Sequence, residues 1–189
     1  MADAPEAPKK KGSTLKKVLL GLVVVVGIFL VVVAMQPSEY QVTRSTSIAA
    51  SPSAVFPLVN ELRAWEKWSP WEKLDPAMKK TFEGPASGVG AAYGWAGNRE
   101  VGEGKMTILE SKPAELVRLK LEFYKPMAGE SDVRLTFRPE GAGTAVTWAM
   151  SGANNFVGKA MCMIMNMDKM LGGQFEKGLA DLKAQAEKK

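Results

Sequence analysis

The feature that most constrains this chain is an uncharged, apolar run of eighteen residues from Val18 to Met35. As an α-helix the run would be ~27 Å long, close to the ~30 Å hydrocarbon thickness of a bilayer. A core helix of a soluble protein does not need to be apolar on every side. We therefore predict a transmembrane helix over residues 15–36, following a disordered, lysine-rich tail over residues 1–14.

Charge on either side of the run predicts its orientation. Five lysines precede it, whereas Arg44 is the first cation after it. The positive-inside rule then leaves the N-terminus in the cytoplasm and the rest of the chain outside the plasma (inner) membrane, as a single-pass protein. A cleaved signal peptide is the alternative, because Val32-Val33-Ala34 fits a cleavage site. The run is longer than the ~7–15 apolar residues of a signal peptide, which favours an uncleaved anchor.

Composition excludes several classes of protein. The net charge is +5, but the first seventeen residues carry +3 of it, so the remainder is nearly balanced and has no basic cluster typical of nucleic-acid binding. Cys162 is the only cysteine, which excludes an internal disulfide. The chain has no histidine, so a Ser/His/Asp triad is impossible and the commonest zinc ligand is missing. We expect no cofactor and no metal.

Hydropathy after Tyr40 alternates with a period of two in several segments separated by Gly, Pro and Asn. Short connections between such segments favour antiparallel hairpins. Seven strands are predicted, at residues 40–48, 80–83, 91–95, 100–110, 115–124, 131–139 and 144–150. A short helix is predicted after the first strand, where Ser51 and Pro52 form a helix start.

A long amphipathic helix is predicted from Phe156 to about Ala186, with apolar residues spaced three and four apart. Gly172 and Gly173 interrupt the pattern, and we expect them to bend the helix or to let it approach a neighbour closely. One amphipathic helix lying across the apolar face of a curved antiparallel sheet buries both surfaces. The predicted fold class is therefore α+β.

Several motifs in this order resemble those of one known family. They include Trp65-x-x-Trp68-Ser69-Pro70-Trp71-Glu72-Lys73, Gly97-Asn98-x-Glu100-Val101-Gly102, Ser151-Gly152-x-Asn154-Asn155-Phe156 and Phe175-Glu176-x-Gly178-Leu179. The segment from residue 40 to 186 resembles the SRPBCC proteins, also called START-like or Bet v 1-like, in particular the polyketide cyclase/dehydrase and lipid-transport branch. The resemblance implies a helix-grip domain over residues 40–186, in which the curved sheet wraps around the C-terminal helix and an elongated cavity lies between them.

The cavity implied by that fold suggests which side chains contact a ligand. Unbranched methionines repack around variable apolar molecules, and tryptophans offer an apolar ring with one N–H donor. The predicted ligand-binding residues are Trp65, Trp68, Trp71, Tyr93, Trp95, Met106, Leu121, Phe123, Trp148, Met163, Met167 and Met170. Two plainer interpretations remain open: the methionines form ordinary core, and the tryptophans close one end of the sheet rather than forming a mouth for the cavity. Arg44 shares a face with apolar residues, and three outcomes are open for its guanidinium group: it pairs with an acidic head group of the ligand, pairs with a protein carboxylate or reaches solvent, the last two being favoured.

Together these observations predict a non-catalytic, membrane-anchored protein that binds a hydrophobic small molecule or lipid, with the tryptophan segment opening to admit it. The membrane is the second expected partner, through Val18–Met35; nucleic acid is not expected, and the sequence does not identify a protein partner. One alternative is a cyclase or dehydratase acting through a buried carboxylate or tyrosine, such as Glu72, Glu100 or Tyr93. Another is a protein-interaction scaffold whose cavity is filled by side chains.

Overall fold

The computed structural model describes residues 12–164 and 167–188. Four α-helices are present in these ranges: α1 (Gly12–Ala34), α2 (Pro52–Asn60), α3 (Phe156–Ile164) and α4 (Met167–Ala186). Two short 3₁₀ helices, Leu62–Lys67 and Pro70–Lys73, follow α2, and we call residues 62–73 the tryptophan segment. Of the helices described, α1 is the one whose length and composition allow it to cross a membrane.

Seven antiparallel strands form one sheet in the order β1-β7-β6-β5-β4-β3-β2. The strands are β1 (Glu39–Ile48), β2 (Lys79–Glu83), β3 (Ala92–Ala96), β4 (Glu103–Lys112), β5 (Leu116–Lys125), β6 (Gly129–Glu140) and β7 (Gly143–Ala153). Each of β3 to β7 pairs with the strand that follows or precedes it, and β1 closes the order by pairing with β7. The predicted α+β fold with seven strands is confirmed.

Irregular pairing between β4 and β5 contributes to the curvature of the sheet. The register shifts between Ile108 and Glu110, and again between Glu103 and Gly104. Such bulges bend a strand and increase its twist. The sheet is concave toward α4, and alternate residues of the central strands are buried on that face, as Val117, Leu119, Val133 and Leu135 illustrate.

Helix α4 crosses the concave face and contacts β1 and β7, while α2 packs against β6, β7 and α4. Phe175, Leu179 and Leu182 are its fully or nearly fully buried side chains, at the three- and four-residue spacing expected of a core-facing stripe. Val55 and Val59 of α2 are completely buried in the same core. The C-terminal half of α4 is therefore packed tightly, and any free space must lie beside its N-terminal half.

Two predicted boundaries differ from the structure. Residues 12–14 are helical rather than disordered, because α1 extends N-terminally beyond the apolar run; residues 1–11 lie outside the described part of the chain. Residues 100–102 do not belong to β4, since the Asn98 side-chain oxygen accepts hydrogen bonds from the backbone N–H groups of Glu100 (2.8 Å) and Val101 (3.3 Å) and closes a turn. The predicted C-terminal helix is observed over Phe156–Ile164 and Met167–Ala186, and residues 165–166 between these two segments lie outside the described ranges.

The glycines of α4 were predicted either to bend the helix or to let it approach a neighbour closely, and the structure shows the close approach. The helix continues through Gly172 and Gly173. A Cβ atom at Gly172 would overlap the guanidinium group of Arg44, which lies on β1. The absence of a side chain at Gly172 thus allows α4 to approach β1 closely.

Candidate functional site

A cavity of about 520 Å³ lies between the concave face of the sheet, the tryptophan segment and the N-terminal half of α4. Its volume is within the range of about 300–1,000 Å³ typical of small-molecule sites. Most side chains around it are aromatic or aliphatic. The sheet contributes Tyr93, Trp95, Met106, Leu119, Leu121, Phe123, Val133, Trp148 and Met150. The helical side contributes Trp65, Trp71, Leu74, Met170, Leu171 and Phe175.

The exposed residues among those around the cavity show where it meets the surface. They are Glu100, Lys125, Pro126 and Met170, and we call these four residues the rim. Glu100 lies in the turn between β3 and β4, Lys125 and Pro126 lie at the turn between β5 and β6, and Met170 lies in the first turn of α4. The Lys125 ammonium group pairs with Glu103 at 2.8 Å.

The tryptophan segment closes the inner end of the cavity. Trp65 and Trp68 are 4 % and 0 % exposed, and their indole N–H groups donate to the backbone oxygens of Val59 (2.9 Å) and Leu58 (2.8 Å). Both donors are thereby occupied within the protein. Pro70 is buried as well. The segment is therefore packed as a plug, which is one of the interpretations that the sequence left open, and the exposed rim of the cavity lies elsewhere.

Trp148 is the centre of an aromatic cluster at the inner end. Its ring stacks on Phe175 with 4.4 Å between the ring centroids and an angle of 5° between the planes. Trp65, Trp68 and Trp71 contact it edge-on, with ring centroids 5.5–5.8 Å away. The indole N–H of Trp148 is buried and has no acceptor among the residues that the structure describes. An unsatisfied buried donor is costly, and buried polar groups are usually paired, so this N–H is an exception within the core.

Glu72, Tyr93 and Lys80 form a polar cluster beside the cavity. The Tyr93 hydroxyl donates to Oε1 of Glu72 (2.9 Å), and Lys80 Nζ lies 2.5 Å from Oε2 of the same carboxylate. Lys80 also contacts Glu66 at 3.0 Å. Burial and the hydrogen bond to Glu72 raise the pKa of Tyr93, so its hydroxyl stays protonated at neutral pH. Burial lowers the pKa of Lys80, but its hydrogen bonds to Glu72 and Glu66 outweigh that effect, and the net shift is upward.

Arg44 fixes the start of α4 to the sheet. Its guanidinium group donates to both carboxylate oxygens of Asp168 at 3.0 Å and to Oε1 of Glu176 at 2.7 Å. The hydrogen bond from Arg44 and its charge lower the pKa of Asp168. Of the three outcomes open for Arg44, pairing with protein carboxylates is the one observed. This ion-pair cluster holds the N-terminal half of α4 over the cavity.

Gly104 makes room for one wall of the cavity. A Cβ atom there would overlap the carbonyl oxygen of Glu122 and would lie 2.5 Å from Cη2 of Trp95. The Trp95 indole N–H donates to the carbonyl oxygen of Val101 at 3.0 Å, which fixes the ring in this position. The Trp95 ring therefore occupies the space that the absence of a side chain at Gly104 leaves on the inner face.

Nine of the twelve predicted ligand-binding residues surround the cavity: Trp65, Trp71, Tyr93, Trp95, Met106, Leu121, Phe123, Trp148 and Met170. Trp68 does not reach it, because its ring is buried behind Trp65 and Trp148. Met163 does not reach it either: it lies on α3 and is 39 % exposed. The side chain of Met167 is outside the part of the chain that the structure describes.

Several residues around the cavity were not predicted as ligand contacts. Leu119, Leu171 and Phe175 belong to apolar patterns that the sequence does show, and the two-residue alternation of β6 places Val133 on the same face. Met78, Leu74 and Gln174 carry no pattern that would have identified them. Among the described residues, no group of three or more Asp, Glu, Cys or His side chains is arranged to hold a metal ion.

A family model described as "Polyketide cyclase / dehydrase and lipid transport" matches residues 39–187. No curated protein sequence matches the chain. Solved structures with the same fold include protein CV1439 from Chromobacterium violaceum, with 16 % identity, a TM-score of 0.57, and coverage of 81 % of this chain and 99 % of that one.

Two further solved structures support the same fold. The Aha1 dimer from Colwellia psychrerythraea shares 16 % identity with a TM-score of 0.56, over 78 % of this chain and 96 % of that one. Ara h 8.0201 shares 9 % identity with a TM-score of 0.53, over 78 % of this chain and 97 % of that one. At these identities the likeness establishes the Bet v 1-like architecture and nothing more.

Proposed function

Because the chain belongs to the polyketide cyclase/dehydrase and lipid transport family, we propose that it binds a hydrophobic small molecule or lipid in the cavity while α1 anchors it in a membrane. The cavity is the observation that carries this proposal. It has about 520 Å³ of free volume between aromatic, aliphatic and methionine side chains, with few polar groups. Burying an apolar ligand there is favourable by about 0.8 kcal/mol for each methylene group transferred from water.

The ligand we propose carries at least one hydrogen-bond acceptor. The buried N–H of Trp148 has no acceptor among the described residues, and a carbonyl, ester or hydroxyl oxygen at the inner end of the cavity would supply one. The nearby Glu72 carboxylate has both oxygens occupied by Tyr93 and Lys80. Glu72 therefore does not satisfy the Trp148 N–H, and the acceptor we propose comes from the ligand.

The anchor places the binding domain where hydrophobic ligands partition. We propose that α1 spans the plasma (inner) membrane with its lysine-rich end in the cytoplasm and the domain on the extracytoplasmic side. Confinement at the membrane raises the effective concentration of the domain near its ligand. Reporter proteins fused at either end of the chain test the orientation, and activity of a periplasm-dependent reporter at the N-terminus would contradict it.

The test of binding is mass spectrometry of the full chain purified in a mild detergent. We expect a hydrophobic molecule to remain bound to the wild type. Leu121→Trp replaces an aliphatic side chain with a larger indole ring that fills part of the cavity, and it should reduce the amount of bound ligand at least tenfold. Leu109→Trp is the matched control, because Leu109 is 46 % exposed and lies outside the cavity. Empty wild-type protein, or equal loading of the two variants, would contradict the proposal.

An enzyme is the second candidate, because Glu72 and Tyr93 form a hydrogen-bonded pair at the cavity. In such an enzyme the Tyr93 hydroxyl would stabilise a substrate oxygen as a hydrogen-bond donor, since its raised pKa keeps it protonated and makes it a weak acid. A purified Tyr93→Phe variant carrying a different, unprocessed ligand from that of the wild type would favour catalysis. The same ligand in both proteins favours binding alone. The third alternative required a filled cavity, which the structure does not have.

A further inference from the structure

The rim of the cavity and the membrane anchor lie at the same end of the sheet. Strand β1 begins at Glu39, which pairs with Ala153 at the end of β7. At that end, Glu103 of β4 is the register partner of both Lys125 at the end of β5 and Ala96 at the end of β3. The β3–β4 and β5–β6 turns therefore lie at the end of the sheet where β1 begins, which is the end connected to α1. These two turns contribute the rim residues Glu100, Lys125 and Pro126.

The connection between α1 and the sheet is short and held in place. From Ala34 to Glu39 the chain can span at most ~18 Å. The carbonyl oxygen of Ser38 accepts a hydrogen bond from the backbone N–H of Asn154 (2.8 Å), and that of Ala34 accepts one from Lys159 Nζ (3.2 Å). Val33 is completely buried, and the end of α1 packs against α3. The domain thus has a defined orientation relative to the anchor.

Large apolar side chains are exposed at this same end. Met127 lies in the turn after β5, Phe156, Val157 and Met163 lie on α3, and Met170 is part of the rim; each is between 39 % and 53 % exposed. Clustered exposed apolar side chains mark interaction surfaces. Helix α3 contacts the anchor itself, so its exposed side chains lie next to the point where α1 would enter the lipid. Met127 lies at the same end of the sheet, where β7 alone separates β6 from β1.

We propose that α3 and the β5–β6 turn insert their apolar side chains into the interface of the same bilayer that α1 spans, so that the rim opens against lipid. The inference rests on the proposed function and adds the route of the ligand. A hydrophobic molecule passes from the bilayer through the rim into the cavity without crossing water, which removes the cost of exposing its apolar surface during transfer. The occupant of this apolar surface is the lipid bilayer rather than a second protein.

The test measures how close each end of the sheet lies to lipid, in the full chain reconstituted in phosphatidylcholine vesicles. In a Cys162→Ser background, one environment-sensitive dye is attached at Met127→Cys or at Val89→Cys. Val89 is a matched control: it is apolar and 60 % exposed, but it lies between β2 and β3, at the opposite end of the sheet. The β2 and β3 strands are five residues long, or ~17 Å, so the dye at Val89 lies farther from the membrane than the dye at Met127 by about half the thickness of the hydrocarbon core.

We expect a quencher attached to lipid to reduce the Met127→Cys signal at least fivefold more than the Val89→Cys signal. Equal quenching at the two positions would overturn the inference, as would a chain that fails to float with the vesicles. A Met127→Cys dye that is shielded from a water-soluble quencher but not quenched by lipid would indicate a second protein copy and would also overturn it. Unchanged circular dichroism establishes that each variant is folded.

Mass spectrometry of the same samples separates this inference from the proposed function. Bound ligand together with equal quenching contradicts the membrane-facing rim and leaves the binding function standing. An empty cavity together with selective quenching at Met127→Cys contradicts the binding function and supports the orientation.

Discussion

Replacing Gly104 by alanine tests the wall of the cavity most sharply. The added Cβ would overlap the Glu122 carbonyl oxygen, which belongs to the backbone of the paired strand, and would lie 2.5 Å from Cη2 of Trp95. Ordinary van der Waals contact begins at 3.4 Å. The backbone cannot move without disturbing the β4–β5 pairing, so the Trp95 ring must shift and lose its hydrogen bond to Val101.

The magnitude follows from these contacts. Overpacking of this kind costs about 1–3 kcal/mol, and the lost hydrogen bond adds about 0.5–1.5 kcal/mol. Alanine recovers about 0.5–1 kcal/mol, because glycine loses more conformational freedom on folding. The net loss is about 2 kcal/mol, equivalent to roughly 4–8 °C in the midpoint of thermal unfolding for a domain of this size.

Thermal unfolding of the full chain in one detergent, followed by circular dichroism, measures the effect. Gly129→Ala is the control, because nothing lies within 4 Å of a Cβ at that position. We expect the control to unfold at or slightly above the wild-type temperature. If Gly104→Ala and Gly129→Ala unfold at the same temperature, the close packing of Trp95 over Gly104 is refuted, and with it this wall of the cavity.

Two further predictions concern the ion-pair cluster and the unpaired donor. Arg44→Gln should lower the unfolding temperature at pH 7. Because Arg44 lowers the pKa of Asp168, the difference in unfolding temperature from the wild type should shrink as the pH falls below about 4. A difference that does not depend on pH would contradict this prediction. Trp148→Phe keeps a ring against Phe175 but removes the N–H. In a fluorescent-probe displacement assay, binding of an alkyl ketone should weaken about fivefold, or ~1 kcal/mol, while binding of an alkane of equal length should change little. Equal effects on both ligands would contradict a hydrogen bond from Trp148.

The fold was largely predictable because it depends on local periodicity. The alternation of Val117, Leu119, Leu121 and Phe123 predicts β5, and the spacing of Phe175, Leu179 and Leu182 predicts the buried stripe of α4. Errors occurred where side-chain hydrogen bonds decide the backbone path, as at Asn98, whose side chain closes a turn in place of three strand residues.

The site was less predictable, because its shape depends on contacts between distant segments. Trp65 and Trp68 look alike in sequence, and both indole N–H groups donate to carbonyl oxygens of α2. Of these two rings, only that of Trp65 reaches the cavity, because Trp68 is buried behind it. The position of the opening depends on which turns meet at one end of the sheet, and this follows from strand register rather than from the tryptophan motif. The pairing of Arg44 with Asp168 likewise joins residues 124 positions apart.

The most direct test of the account is an experimental structure of the full chain purified from its native membrane without removal of bound lipid. The account predicts density for an elongated molecule between Trp95, Phe123 and Phe175, with an acceptor atom within hydrogen-bond distance of the Trp148 indole N–H. A cavity filled by repacked protein side chains, or one containing only ordered water, would contradict the claim that this protein binds a hydrophobic ligand.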